Sequence, residues 1–302
     1  MKNVPIQGII PALITPMHED ESVNFEELRR QVNRQIDGGV HAIFCFGTNG
    51  EGYILNGKEK QQILETVVDE VKGRVPVYAG TGCVSTKETI EQCKMAEAVG
   101  ADVVSIITPS FAAASQDELY EHYKTVAACI DLPIVLYNIP ARTGNAIAPA
   151  TVGKLAQIEN IVGAKDSSGN FANILSYMDA GKARPAGDFA ILSGNDQLII
   201  WNLLAGGTGG IAGCANIYPH TMATIYDLFM AGKIEEAKAA NASIASFRAC
   251  FKYGNPNTIV KTAVGLLGYD VGKCRAPFNQ VPEAGIEALK KVLAENAAKG
   301  MC

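Results

Sequence analysis

The sequence is short of the residues that most readily build metal, redox or nucleic-acid sites. It holds four histidines (His18, His41, His122 and His220) and one tryptophan in 302 residues. Its eight cysteines are scattered between Cys45 and Cys302, with no C-x-x-C pair and no histidine cluster beside them. That spacing supplies no zinc ligand set, so no metal is expected. Most of these cysteines fall in apolar segments, where a reduced thiol packs as a small hydrophobe. A basic excess is missing too: the net charge is −5 and the pI is about 5.5. A phosphate-binding face needs the opposite balance, which argues against a nucleic-acid partner. Arg29-Arg30 and Lys290-Lys291 each sit among acidic neighbours on helical patterns and read as solvated faces. No window reaches the ~18 consecutive apolar residues of a membrane span. The opening MKNVPIQGII carries too short an apolar run for a secretion signal before Pro11 and the acidic HEDE. The cytoplasm is therefore the expected compartment, with no membrane partner.

What is present is a regular alternation. Short runs rich in Ile and Val recur: GIIPALITP (8–16), AIFCFG (42–47), VPVYAGTG (75–82), VVSIITP (103–109), PIVLYNIP (133–140), IVGAKDSS (161–168), AILSGND (190–196) and GGIAGCA (209–215). Such runs read as strands of a parallel sheet buried on both faces. Amphipathic stretches fill the gaps. NFEELRRQVNRQIDGG has Asn24 as its cap, apolar residues at 25, 28, 32 and 36, and glycines at its end. A second helix is expected from Ser85 to Gly100, and a third from Ser115, with Glu118 three residues on as a capping box. Eight strand–helix units predict an α/β fold, a (β/α)8 barrel. An open doubly wound sheet typically has a glycine-rich nucleotide turn after its first strand, and GIIPALITPMHED has none. From about Lys233 the pattern turns helical only, in IEEAKAANASIASFRACF, NTIVKTAVGLLG and PEAGIEALKKVLAENAAKG. The expected organisation is a catalytic barrel over 1–230 and a C-terminal helical extension over 231–302, packed on the barrel.

Catalytic groups of such barrels sit at the C-terminal ends of the strands. Read in order, those ends carry Thr15-Pro16, GTNGE (47–51), GTG (80–82), TPSF (108–111), YNIPARTG (137–144), KDSSG (165–169), SGND (193–196) and GGIAG (209–213). The set is rich in hydroxyls, with two carboxylates, Glu51 and Asp166. It contains no Ser-His-Asp combination and no histidine pair. Lys165 stands out, because an ammonium at the end of an apolar strand is costly unless it is paired or gives up its proton. Desolvation favours the neutral amine of a lysine, which is then a nucleophile for a carbonyl carbon. A protonated imine is an electron sink, so it permits carbon–carbon bond cleavage or formation beside it. That chemistry needs a proton shuttle, and Tyr137 at the preceding strand end is the candidate, with Thr48 to poise its hydroxyl. Arg142 offers a planar fork for a carboxylate. Gly209-Gly210 and GTNG would let backbone N–H groups approach an acid closely. Taken singly, each has a plainer reading. Lys165 could pair with Asp166, Tyr137 could be a core tyrosine, Arg142 could form a rim ion pair, and Thr48 could cap the next helix. Glu51 reads as an acceptor of backbone N–H bonds in its own loop.

GTNGE, YNIPARTG and KDSSG, in this order and spacing, resemble the dihydrodipicolinate synthase / N-acetylneuraminate lyase superfamily, class I aldolase-type barrels that act on pyruvate. The resemblance runs from about residue 5 to the C-terminus and includes RAPFNQVP (275–282). It implies that Lys165 forms an imine with pyruvate, that Tyr137 is the catalytic tyrosine, and that Thr48 binds the pyruvate carboxylate and joins the proton relay. It further implies that Arg142 holds the second substrate's carboxylate and that backbone around Gly210 and Ile211 lines the pyruvate pocket. It implies no cofactor and a homotetramer, a dimer of dimers.

Some positions depart from the synthase pattern. Synthases typically have TPYY where this chain has TPSF; their second tyrosine reaches across the dimer interface to complete the relay, and here it is Phe111. Asn49, among the substrate-binding positions, stands where synthases favour a second threonine and is more like the hydroxy-oxoglutarate aldolase branch. Gly57, Val84 and Ser110 replace the usual feedback-lysine contacts, which implies insensitivity to lysine. Sialic acid lyases commonly lack the arginine found here at 142. The reading drawn first is a Schiff-base lyase or aldolase using or releasing pyruvate, with a hydroxy-oxoglutarate or 2-keto-3-deoxy sugar acid as the second partner. The alternative is 4-hydroxy-tetrahydrodipicolinate synthase, condensing pyruvate with aspartate semialdehyde. A reading of another class is a catalytically weak barrel that binds small acids.

Overall fold

A computed structural model of the chain describes residues 4–185 and 187–302. The eight apolar runs all form strands: β1 (Gly8–Pro11), β2 (Ile43–Cys45), β3 (Val77–Gly80), β4 (Val103–Ile107), β5 (Ile134–Asn138), β6 (Ile161–Asp166), β7 (Ala190–Ser193) and β8 (Gly209–Ala212). They make one sheet in the order β1-β8-β7-β6-β5-β4-β3-β2. A parallel bridge from Ala12 to Phe44 links the chain beyond β1 to β2. With helices flanking the strands, this is the (β/α)8 barrel that the alternation predicts.

The helices are α1 (Phe25–Asp37), α2 (Gly57–Val71), α3 (Thr86–Val99), α4 (Gln116–Ala127), α5 (Pro140–Thr143), α6 (Pro149–Leu155), α7 (Phe171–Gly181), α8 (Ile199–Leu204) and α9 (Pro219–Met230). Beyond them come α10 (Ile234–Ser243), α11 (Ala245–Arg248), α12 (Pro256–Leu266) and α13 (Glu283–Ala297). The expected caps are present. Asn24 accepts from Glu27 N–H, Ser85 accepts from Glu88 N–H, and Ser115 with Glu118 forms a reciprocal capping box. Each satisfies donors that the first helical turn leaves without an intrahelical partner. Gly100 ends α3 in the left-handed region at φ 105°, a conformation glycine adopts without a Cβ penalty.

The C-terminal stretch differs from its sequence pattern in one place. The run 234–251 is one helical pattern in sequence but three pieces in space: α10, α11 and a 3₁₀ turn at Ala249–Tyr253. Between α12 and α13 the chain leaves helix altogether from 267 to 282, because GKCRAPF brings a glycine and a proline too close for an α-turn to propagate. No helix among the described residues is long and apolar enough to cross a membrane.

By contacts the chain divides into two compact units. One comprises the chain up to Gly8 together with Pro76–Ile211, and the other comprises Ile9–Val75 with Ala212–Cys302. In the first unit, β3 through β7 pair in parallel, with one register shift between β5 and β6 at Ile134/Val135; beyond it Ile107, Tyr137, Lys165 and Leu192 lie side by side. In the second unit, α10 packs on α9 and α12 on α13, which ties the C-terminal helices to the last barrel helix.

Candidate active site

Two neighbouring strands set the geometry of the first unit's site. Tyr137 and Lys165 are register partners on β5 and β6, as are the next residues, Asn138 and Asp166. Successive residues of a strand point to opposite faces. Asn138 and Asp166 point toward the helices, where Asp166 accepts from Asn138 Nδ2 at 2.7 Å, Ser168 Oγ at 2.6 Å and Asn173 Nδ2 of α7 at 2.9 Å. Tyr137 and Lys165 therefore face the barrel interior. Both are nearly sealed, at 4% and 3% exposure, and the Lys165 Nζ lies 3.7 Å from the Tyr137 ring centroid. The plain alternative for Lys165, an ion pair with Asp166, does not describe this arrangement: three neutral donors fill the Asp166 carboxylate on the opposite face.

Room for the Lys165 chain depends on Gly194, just beyond β7. A Cβ there would fall 1.8 Å from Ser167 Oγ and 2.9 Å from Lys165 Cε. The Gly194 N–H donates to the Asp166 carbonyl at 2.7 Å, which extends the ladder past the strand end and fixes this close approach. On β8, Gly210 faces α8, where a Cβ would meet the Ile199 side chain at 2.5 Å. Packing alone thus requires glycine at 210. Ile211, its neighbour, is buried on the opposite face.

Arg142 lies on the one-turn helix α5 directly after β5, with an exposed side chain. Phe111 stands at the tip of the loop after β4. It is fully exposed, and its backbone is in the left-handed region at φ 78°. Bulky residues rarely adopt that conformation.

Thr48 and Asn49 belong to the second unit, on the loop after β2, and both are half-buried. Thr48 does not cap the following helix. That role falls to Asn56, which forms a capping box with Glu59, while the Thr48 carbonyl accepts from Glu51 N–H at 3.2 Å. The loop is fastened by groups far away in sequence. Thr15 Oγ1 donates to the Gly50 carbonyl at 2.7 Å. Glu51, itself at φ 58°, accepts from Lys261 Nζ at 2.7 Å and from Arg275 N–H at 2.8 Å. The expected backbone N–H bond to Glu51 exists, but it comes from the C-terminal segment rather than from its own loop. The Arg275 guanidinium forks onto Glu59 at 2.7 and 3.1 Å, which holds the Glu59 carboxyl below the ordinary carboxylate range and raises the arginine. Burial, with Glu51 nearby, pushes the Cys274 thiol up to about 12. Lys261 carries no motif in sequence, and nothing short of the fold could have linked it to a glutamate 210 residues away.

Among the described residues, no group of three or more His, Cys, Asp or Glu is arranged to hold a metal ion.

A barrel that seals a lysine against a tyrosine on the adjacent strand holds the two kinds of group that imine chemistry needs. The sequence profile of the dihydrodipicolinate synthetase family matches residues 5–296, and the chain belongs to that family of lyases. A 4-hydroxy-tetrahydrodipicolinate synthase of Methanopyrus kandleri is 38% identical over 291 residues, 95% of each chain. An uncharacterized DapA-like lyase of Halobacterium salinarum is 34% identical, covering 96% of this chain and 94% of that one. Among solved structures, the chloride-inhibited dihydrodipicolinate synthase of Acinetobacter baumannii complexed with pyruvate superposes with a TM-score of 0.92 at 33% identity, over 97% of this chain and 99% of that one.

Proposed function

We propose that this enzyme takes pyruvate as a Schiff base on Lys165 and condenses it with aspartate semialdehyde, as a 4-hydroxy-tetrahydrodipicolinate synthase. The observation that carries the reading is the sealed Lys165 amine 3.7 Å from the Tyr137 ring on the inner face of the barrel. Relatives that bear the synthase name at 38% identity support the second substrate. The sequence alone puts an aldolase first, and the relatives reverse that order.

In this reading the Lys165 Nζ attacks C2 of pyruvate and water leaves, giving the imine. The protonated imine draws electrons from C3, whose proton departs by way of Tyr137. The enamine C3 then attacks the aldehyde carbon, and the semialdehyde's amino group displaces Lys165 from C2 to close the ring. One water is released per turnover, and the imine itself is the electron sink, so no cofactor enters. On the family pattern, Thr48 and Asn49 of the second unit are each assigned to the pyruvate carboxylate, as is the backbone at Gly210 and Ile211 of the first, and Arg142 is assigned to that of the semialdehyde. The assembly proposed with this reading is a cytoplasmic homotetramer, a dimer of dimers, and it is insensitive to lysine.

Steady-state assay of purified enzyme with pyruvate and aspartate semialdehyde tests the proposal. Turnover on the order of 1 s⁻¹ or faster is expected. An enzyme that traps pyruvate but does not consume the semialdehyde refutes it. One observation favours a second reading, cleavage of a 4-hydroxy-2-oxo acid: Phe111 has no hydroxyl where synthases place a relay tyrosine. Release of pyruvate from 4-hydroxy-2-oxoglutarate at a higher kcat/KM than the condensation would establish that reading instead. Saturable pyruvate binding with no turnover in either direction would point to the binding-only barrel.

A further inference from the structure

We propose that Asn145 is a positioning residue for the acceptor half of the reaction, acting through the two loops that carry Arg142 and Phe111. The proposal rests on the Schiff-base reading above and deepens it.

Asn145 is buried, yet it lies outside every strand and helix. Its side-chain amide donates to the carbonyls of Pro109 at 2.9 Å and Ala112 at 2.8 Å, and its oxygen accepts from Ala114 N–H at 2.8 Å. One side chain thus bonds the loop after β4 on both sides of Phe111. Only this orientation of the amide satisfies two carbonyls and one N–H together. On its other side, the Asn145 backbone is bound to α5. Its N–H donates to Thr143 Oγ1 at 3.2 Å, and its carbonyl accepts from that hydroxyl at 3.0 Å. Thr108 Oγ1 donates to Thr143 Oγ1 at 2.8 Å and joins the end of β4 to the same network. Arg142 precedes Thr143 on this single turn, so the aim of its guanidinium follows from how the turn is held.

A staple of the fold would tie elements together, whereas this network ties the loops beyond the strand ends. β4 and β5 are paired through their own ladder, and Lys165 and Tyr137 are held on strands Asn145 does not touch. The left-handed backbone at Phe111 is the second sign. Such strain persists where surrounding bonds over-determine it and clusters at functional sites. Carbonyls of the residues two before and one after Phe111 are the ones Asn145 captures. The loop is therefore held in one shape rather than sampling several, and with it the rim that an incoming aldehyde would meet.

The consequence is a split between the half-reactions. Imine formation uses Lys165 and Tyr137 on their strands and Thr48 and Asn49 on the loop after β2, none of which Asn145 bonds, and should be indifferent to Asn145. Capture of the acceptor uses Arg142 and the loop of Phe111 and should not be. Two variants separate position from packing. Asn145→Ala removes all three side-chain bonds. Asn145→Asp keeps size and the acceptor for Ala114 N–H but turns a carboxylate oxygen toward two carbonyls.

The experiment compares wild type and both variants by borohydride trapping of pyruvate on Lys165 and by kinetics at saturating pyruvate. The carbon–carbon step is read with aspartate semialdehyde, and in the cleavage direction with 4-hydroxy-2-oxoglutarate. Trapping rates are expected to stay within about twofold of wild type while kcat/KM for the acceptor falls roughly 10–100-fold in both variants, mainly through KM. Hydrogen exchange at Ala114 N–H is expected to accelerate in Asn145→Ala. Variants that keep full acceptor kinetics, or that lose trapping and acceptor kinetics in parallel, overturn the proposal while leaving the Schiff-base reading intact. A wild type that forms no adduct overturns both.

Discussion

The pair formed by Glu51 and Lys261 makes a stability prediction that can be worked through. Its side chains are 0% and 1% exposed, and their charged atoms are 2.7 Å apart. Two charges out of water attract strongly, but each has surrendered its hydration. Removing one partner strands the other, at a cost of about 3–5 kcal/mol. Lys261→Met leaves Glu51 with the Arg275 N–H at 2.8 Å, which partly offsets the loss and puts the variant near the lower figure, ~3 kcal/mol. Glu51→Leu leaves a buried ammonium without its carboxylate and belongs near ~5 kcal/mol. At roughly 2 °C per kcal/mol for a chain of this size, the melting temperature should fall by about 6–10 °C. The double variant should cost about 5–6 kcal/mol rather than the ~8 kcal/mol of the two singles added, a coupling energy of about 2–3 kcal/mol, because neither charge is then stranded. Urea denaturation at neutral pH of the wild type, both single variants and the double variant measures the cycle. Single variants that each cost less than about 1 kcal/mol, or costs that simply add, would refute the reasoning.

Other expectations follow from particular side chains. Gly194→Ala puts a methyl 2.9 Å from Lys165 Cε and should slow pyruvate trapping ~10–100-fold without unfolding the chain, which circular dichroism and trapping kinetics together would show. The Glu59 carboxyl is lowered, chiefly by its bond to Arg275, from an ordinary value of 4.5. The unfolded chain then binds more protons near and below that value, so this contribution is whole above it and disappears as pH falls through the folded value. The stability gap between wild type and Glu59→Gln should therefore be constant near neutrality and shrink by about pH 3.5, as urea midpoints at the two pH values would report. Burial pushes the thiols of Cys45 and Cys93, like that of Cys274, up to about 12, whereas Cys302 is exposed. A thiol reagent applied to the native protein should label Cys302 first and leave those three unmodified until unfolding, with peptide mass spectrometry as the readout.

Much of the barrel was legible because it is written in local patterns. Each apolar run is a strand in the structure, and Asn24, Ser85 and Ser115 cap the helices that their spacing announces. The break of 234–251 into three pieces was not legible, since its alanine-rich stretch suits helix throughout and tertiary packing decides where it bends. The short helices α5 and α6 were missed as well. Each begins with proline at its first turn, and seven residues or fewer give too little periodicity to read. At the site, Lys165 and Tyr137 stood out because a lysine ending an apolar strand is chemically conspicuous. The residues that hold the loops did not. Asn145 and Lys261 look ordinary in sequence, and their side-chain bonds reach partners at least 31 and 210 residues away. The glycines at 209 and 210 were read as room for a ligand. The structure gives a packing reason for each: a Cβ would strike the Gly8 carbonyl at 2.1 Å or the Ile199 side chain at 2.5 Å.

The central claim is that the Lys165 amine is a reagent. The most direct test is sodium borohydride reduction in the presence of pyruvate, followed by intact and peptide mass spectrometry. A stable pyruvate adduct on the peptide containing Lys165, absent in Lys165→Ala, is the predicted result. No adduct, under conditions that label a known class I aldolase, or an adduct that survives Lys165→Ala, would contradict the account.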